Sequence, residues 1–89
     1  MTRVTSDSVS EFKVSIQEEK VIFSFNEEEI SYDIDELSDM LKKLNGEKPL
    51  ELDFVQNGNV KVLLTELSIQ YDTATEDYGL GYFEGYIFK

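Results

Sequence analysis

The chain has 89 residues, a formal net charge of −11, no cysteine and no histidine. This length predicts one domain with one core, and the absence of cysteine excludes disulfides, zinc–thiolate sites and thiol catalysis. The charge argues against direct binding to DNA, RNA or an anionic membrane, which would repel it. No apolar run is long enough for a transmembrane helix, and the first residues lack the apolar region of a signal peptide, so we expect a cytoplasmic protein.

The first third of the chain predicts strands. Residues 1–9 are polar, and we expect a flexible N-terminal segment before a single domain over residues 10–89. Apolar and polar residues then alternate over residues 12–17, 21–25 and 29–34, which is typical of half-buried strands. A polar turn at residues 18–20 joins the first two segments into a hairpin, and the third can extend them into a meander.

A helix is predicted from about residue 35 to residue 45. Asp33 is placed to cap it, Glu36 to complete a capping box, and Tyr32 to pack onto Leu37. Asn45-Gly46 and the following Pro49 are stop signals. An apolar stripe recurs at the helical spacing of three and four residues; it consists of Leu37, Met40, Leu41 and Leu44.

The second half of the chain predicts further strands. Residues 50–56 form one, and Asn57-Gly58 favours a type I′ hairpin turn after it. In the return strand the apolar parity changes between Leu64 and Leu67, so a bulge or a break lies near Thr65-Glu66. Residues 72–81 are predicted to be a loop and residues 82–89 the last strand, in which Gly85 indicates a bulge or a close backbone approach.

These elements predict an α+β fold. Their order is β-β-(β)-α-β-β-β, with about five or six strands in a single antiparallel sheet and the helix packed on one face.

The residues that carry chemistry do not predict an enzyme. Without histidine or cysteine, only carboxylates, tyrosine and lysine remain as acids or bases, and so small a core rarely forms a substrate cleft. The three glycines of residues 79–85 do not fit a dinucleotide fingerprint. We therefore expect no catalytic residues and no cofactor.

A metal site is not predicted either. Asp33 begins a stretch that looks like a calcium loop, but Ser38 and Leu44 occupy the positions where an EF-hand needs glycine and glutamate. The acids of residues 72–77 could hold a cation weakly, but a solvated loop is the better interpretation.

Acidic residues are concentrated in two segments. Residues 27–39 contain seven carboxylates and no lysine or arginine, and residues 62–88 contain five carboxylates and again no base. Tyr78 lies in the second segment, and exposed tyrosine is favoured at interfaces. Such charge is often only solubilising, but a one-sided surface also speeds association with a cationic partner. The candidate partner-binding residues are Glu27, Glu28, Glu29, Asp33, Asp35, Glu36, Asp39, Asp72, Glu76, Asp77 and Tyr78.

The sequence thus predicts a non-enzymatic binding protein, monomeric or weakly dimeric, that occludes a basic surface of a partner such as a nuclease. In its small size, acidity and lack of cysteine it is similar to toxin-immunity proteins and to phage-encoded inhibitors that mimic DNA, including those of the anti-CRISPR type. The alternative is a small adaptor or assembly module that pairs through a sheet edge, with acidity serving solubility.

Overall fold

The computed structural model describes residues 1–44 and 48–89, except the side chains of residues 41–44. In these ranges the chain forms seven strands and one α-helix, which agrees with the predicted α+β class. The strands are β1 (Thr2–Thr5), β2 (Phe12–Gln17), β3 (Lys20–Phe25), β4 (Glu28–Asp33), β5 (Leu50–Phe54), β6 (Val60–Asp72) and β7 (Asp77–Phe88), and the helix α1 is Ile34–Leu44.

The strands form two antiparallel sheets rather than the single sheet of five or six strands that the sequence predicts. One sheet has four strands in the order β1-β7-β6-β5, and the other has three in the order β2-β3-β4. A single sheet covered by a helix and two sheets packed face to face give the same sequence pattern. Alternation shows that one face of a strand is buried, but it does not show which element covers that face.

One core lies between the two sheets. Phe12 of β2 packs edge-to-face on Phe54 and Phe83 of the four-stranded sheet, with ring centroids 6.2 and 5.6 Å apart. Phe23 of β3 and Leu37 of α1 are fully buried in the same cluster. The helix thus adds to a core that the two sheets enclose.

The N-terminal residues include a strand where the sequence predicts a flexible segment. β1 pairs antiparallel with β7, and Val4 lies opposite Gly85. Val4 is only 1% exposed, so the burial of its side chain favours the pairing of this short polar segment. A turn follows, in which the Ser8 N–H donates to the carbonyl of Thr5 (3.0 Å).

The predicted polar turn between β2 and β3 is present, but it has two residues rather than the three of residues 18–20, because Lys20 begins β3. Gln17 and Lys20 are paired, and the residues between them, Glu18 and Glu19, have φ angles of 49° and 65°. The β5–β6 hairpin is also present, but its connection is longer than the predicted type I′ turn. A 3-10 turn occupies Val55–Asn57, and Gly58 and Asn59 follow with φ angles of 78° and 62°.

Strands β6 and β7 form a long hairpin. The pairing register shifts between Leu64 and Glu66, so Thr65 is an extra residue in β6, which confirms the predicted irregularity there as a bulge. The register shifts again between Ser68 and Ile69, where Gly81 is the extra residue in β7. Only residues 73–76 connect the strands. The predicted loop over residues 72–81 is therefore wrong for Asp72, which ends β6, and for residues 77–81, which belong to β7. Cross-strand pairing with β6 outweighs the low strand propensity of the glycines there.

Helix α1 begins one residue earlier than predicted. No side-chain hydrogen bond of Asp33 or Glu36 caps it within the described residues, so the predicted capping box is absent. Instead, the Ile34 N–H donates to the carbonyl of Glu19 (2.9 Å). The predicted stop at Asn45-Gly46 and the orientation of Leu41 lie outside the described residues. Across the described part of the chain, no helix has the length and apolar character needed to span a membrane.

Candidate functional site

Three elements bring acidic residues together at one end of the three-stranded sheet. In the β2-β3-β4 meander, the turn after β2 and the C-terminal end of β4 lie at the same end, since Lys20 pairs with both Gln17 and Asp33. Helix α1 starts there as well. The result is an open cleft of about 380 Å³, which we call the acidic cleft; its residues are Glu18, Glu19, Asp33, Ile34, Asp35, Glu36 and Tyr78.

Tyr78, near the tip of the β6–β7 hairpin, is the aromatic residue of the acidic cleft. The hairpin's core-side face becomes more exposed toward its tip: the pair Leu67 and Phe83 is buried, while Tyr71 and Tyr78 are 52% and 38% exposed. The two tyrosine rings contact each other, with centroids 4.9 Å apart and planes inclined by 49°. The ring of Tyr78 lies beside the carboxylates of the acidic cleft, and an aromatic face attracts cations.

The charges of the acidic cleft are not neutralised by the described residues. The ion pairs formed within these residues lie elsewhere; they are Arg3–Glu84, Lys61–Glu51 and Lys89–Glu11. Lys20 stands opposite Asp33 in the sheet but is not ion-paired with it. The acidic cleft therefore holds five carboxylates without a bonded cation among the described residues.

The predicted acidic segment of residues 27–39 is divided between two ends of a sheet. Glu28 begins β4 and Asp33 ends it, so they are about 16 Å apart along the strand. Glu27 and Glu28 line a separate hollow together with Asn57. The sequence predicts one anionic face from these residues, but the structure brings only Asp33, Asp35 and Glu36 into the acidic cleft.

Glu28 has a structural function at its own end of the sheet. Its Oε1 atom accepts hydrogen bonds from the Gln56 N–H (2.9 Å) and from Asn57 Nδ2 (3.0 Å). Asn57 Nδ2 also donates to the carbonyl of Phe25 (3.1 Å). Glu28 thus joins the β3–β4 turn to the turn that follows β5, whereas Glu27 and Glu29 are simply exposed.

The remaining predicted residues lie near the acidic cleft in the chain but do not line it. Asp39 is exposed on α1, one turn after Asp35. Asp72, Glu76 and Asp77 are exposed at the tip of the β6–β7 hairpin, where Asp72 Oδ1 accepts a hydrogen bond from the Ala74 N–H (2.9 Å). They add negative charge around the entrance.

Two acidic residues of the acidic cleft, Glu18 and Glu19, are absent from the predicted partner-binding residues. The two glutamates look like an ordinary solvated turn. A signal for them exists, because the three-stranded meander that the sequence predicts already places this turn beside the end of its third strand. Tyr71 is also absent from the predicted set, because only the long pairing of β6 with β7 places it beside Tyr78.

The five carboxylates of the acidic cleft are all exposed. Among the described residues, no group of three or more acidic side chains has an arrangement that could hold a metal ion. Two residues on the outer face of the four-stranded sheet have shifted pKa values, Arg3 and Tyr82. There, the hydrogen bond from Arg3 to Glu84 raises the pKa of Arg3, and burial, together with Glu84, raises the pKa of Tyr82. The acidic cleft offers five carboxylates and the ring of Tyr78 to a cationic group.

Comparisons of the chain with models of known protein families, with curated proteins and with solved structures found no match.

Proposed function

We propose that this protein is a non-enzymatic binding protein that occludes a basic, nucleic-acid-binding surface of a partner protein through its acidic cleft. The observation that carries the proposal is the convergence of five carboxylates from three elements beside Tyr78. Lysine and arginine side chains are the cationic groups that a protein surface presents, and both bind carboxylates and aromatic faces.

The electrostatics support a protein partner rather than a nucleic acid. The whole chain carries a net charge of −11, which attracts cationic surfaces and repels phosphates. A surface that binds nucleic acid is rich in lysine and arginine. A set of carboxylates about the size of a short run of phosphates can therefore compete for that surface.

The test compares two variants with equal charge. The cleft triple variant carries Glu18→Gln, Asp35→Asn and Glu36→Gln, and the control triple variant carries Glu27→Gln, Glu29→Gln and Glu66→Gln. Each removes three negative charges, so the net charge of both changes from −11 to −8 (−11 + 3). Every replaced residue is exposed, so we expect both variants to stay folded, with stability changes of about 0.5 kcal/mol or less.

The first measurement is the affinity for octa-arginine at low and high salt. We expect the cleft triple variant to bind roughly tenfold more weakly, because three near-surface charge pairs are each worth about 0.2–1 kcal/mol. The control triple variant should bind nearly as tightly as the wild type. Equal losses in both variants would show that only net charge matters and would refute a role for the acidic cleft.

The second measurement is capture of partners from a cell lysate, identified by mass spectrometry. We expect the wild type and the control triple variant to retain a basic nucleic-acid-binding protein at low salt, and the cleft triple variant to lose it. Added nucleic acid should release the captured protein, since both ligands would use the same surface. Capture that survives high salt and excess nucleic acid would contradict the proposal.

A further inference from the structure

A groove runs along the open seam between the two sheets. It has a volume of about 320 Å³. Its apolar lining is Val9, Phe12, Val14, Leu80 and Phe83, and its polar lining is Ser6, Ser8, Ser10 and Lys13. Val14 of β2 and Leu80 of β7 are half-buried and face the core cluster. We call this feature the seam groove.

Backbone edges without strand partners border the seam groove on both sides. β2 is an edge strand and pairs only with β3. On the other side, β7 pairs with β1 only over Glu84–Ile87, and the Ser6 N–H adds a last hydrogen bond to the carbonyl of Phe83 (3.0 Å). Within the described residues, no strand continues β1 along β7 from residue 82 back to residue 77, a length of about 20 Å.

We propose that the seam groove receives an extended segment of the partner protein, which adds as a strand to the free edge of β7. An edge strand presents unpaired N–H and C=O groups that an extended peptide can bind. Alternate side chains of such a peptide point to one side, where Val14 and Leu80 offer apolar contacts. This inference rests on the proposed function and specifies how the partner is held.

Charge favours an occupant whose basic residue lies next to the acidic cleft. The cation in the lining, Lys13, adjoins Phe12. Phe12 packs on Phe83, which is five residues along β7 from Tyr78. The seam groove leads toward the acidic cleft, because Tyr78 of the acidic cleft is two residues from Leu80 on the same strand. Two strand residues span about 6.6 Å, so a lysine or arginine just beyond the apolar part of the bound segment would reach the carboxylates. A second copy of this chain is disfavoured, since each copy carries a net charge of −11 and like charges repel.

The experiment uses a defined peptide as the probe. It is a terminally blocked peptide of alternating valine and threonine with an arginine at each end, so that either strand direction places a cation near the acidic cleft. The matched peptide carries N-methyl groups on alternate amides, which removes the edge hydrogen bonds but keeps the charge. We expect the unmodified peptide to bind at least tenfold more tightly and to slow amide hydrogen exchange at residues 78–82 in NMR spectra.

Matched protein variants locate the site. Val14→Thr with Leu80→Thr removes apolar groups from the seam groove, whereas Ile22→Thr with Leu63→Thr removes half-buried aliphatic groups from the outer faces of the two sheets. We expect the first pair to weaken peptide binding roughly tenfold and the second pair to leave it unchanged. Equal affinity for the two peptides, or equal losses in the two variants, would overturn the inference.

The outcomes also separate this inference from the proposed function. If the cleft triple variant loses octa-arginine while N-methylation and the Val14→Thr/Leu80→Thr pair have no effect, the acidic cleft stands and strand addition is wrong. If the peptide binds the seam groove but octa-arginine affinity is the same in the cleft triple variant, strand addition stands and the proposed function fails. Sedimentation showing a dimer that Val14→Thr with Leu80→Thr dissociates would assign the edge to a second copy and overturn the inference.

Discussion

Replacement of Gly85 by alanine tests the packing of the β6–β7 hairpin. This hairpin contributes Tyr78 to the acidic cleft and Leu80 and Phe83 to the seam groove. A Cβ atom at Gly85 would lie 2.8 Å from the carbonyl oxygen of Leu63 and 3.4 Å from the Cα of Leu64. Both contacts are with the backbone of the paired strand, so a rotamer change cannot relieve them. Gly85 is buried opposite Leu64, next to the bulge at Thr65.

The expected cost follows from the size of this clash. Forcing an extra carbon into a packed interior typically costs about 1–3 kcal/mol. A domain of this length has a free energy of unfolding of about 4–13 kcal/mol at 0.05–0.15 kcal/mol per residue. Gly85→Ala should therefore remove a substantial fraction of the stability and lower Tm by about 5–20 °C.

Gly79 provides the matched control in the same strand. A Cβ atom at Gly79 has no neighbouring atom within 4 Å, and its φ angle is not positive. Gly79→Ala should leave the free energy of unfolding unchanged or raise it by up to about 1 kcal/mol, because alanine restricts the unfolded chain. Urea denaturation with an unchanged m-value measures both effects. Equal stability of Gly85→Ala and the wild type, or equal destabilisation of the two variants, would refute the packing assigned to this hairpin.

Two further predictions concern the core and the turns. Leu37→Ala should lower the free energy of unfolding by about 2–5 kcal/mol, because the side chain of Leu37 on α1 is fully buried in the core. Urea denaturation measures this change, and a loss below about 0.5 kcal/mol would mean that the helix does not pack as described. Glu28→Ala should cost about 1–2 kcal/mol, because it removes the acceptor of two hydrogen bonds. Glu27→Ala, which removes the same charge from an exposed neighbour, should change stability little, and similar losses in the two variants would contradict the structural function of Glu28.

Local sequence patterns predicted most of the elements but not their partners. Alternation located β2, β3, β4 and β5, and the parity change in β6 located the bulge at Thr65. The division into two sheets depends on contacts between distant residues, such as Phe12 with Phe54 and Phe83, which no local period encodes. β1 was missed for the same reason, since a single buried valine in a polar segment gives no periodic signal.

Part of the candidate site is predictable, because a sequence shows where acidic residues are dense. It does not show which distant residues the fold brings beside them. The acids of residues 33–36 were identified from their density alone, and the structure brings them together with Glu18 and Glu19. Glu28 was grouped with the same acids, although its hydrogen bonds explain its presence structurally. Glu28 lies at the start of β4, whereas the acids of residues 33–36 lie at and beyond its end.

The fold explains only part of the charge in the acidic cleft. Like charges held close together destabilise a fold by a few tenths of a kcal/mol per pair, and a small domain has little stability in reserve. Acids at a helix N-terminus recover part of this cost through the helix dipole, which accounts for Asp35 and Glu36 at the start of α1. The dipole does not account for Glu18 and Glu19, which also adopt the left-handed conformation at φ angles of 49° and 65°, where asparagine and glycine are preferred. Solubility alone would be served by the same charges spread over the exposed face of either sheet. The fold thus accounts for Asp35 and Glu36 but not for a left-handed turn made of two glutamates beside three further carboxylates. The proposed cationic partner would offset that backbone cost on binding, because a ligand that binds the folded state stabilises it.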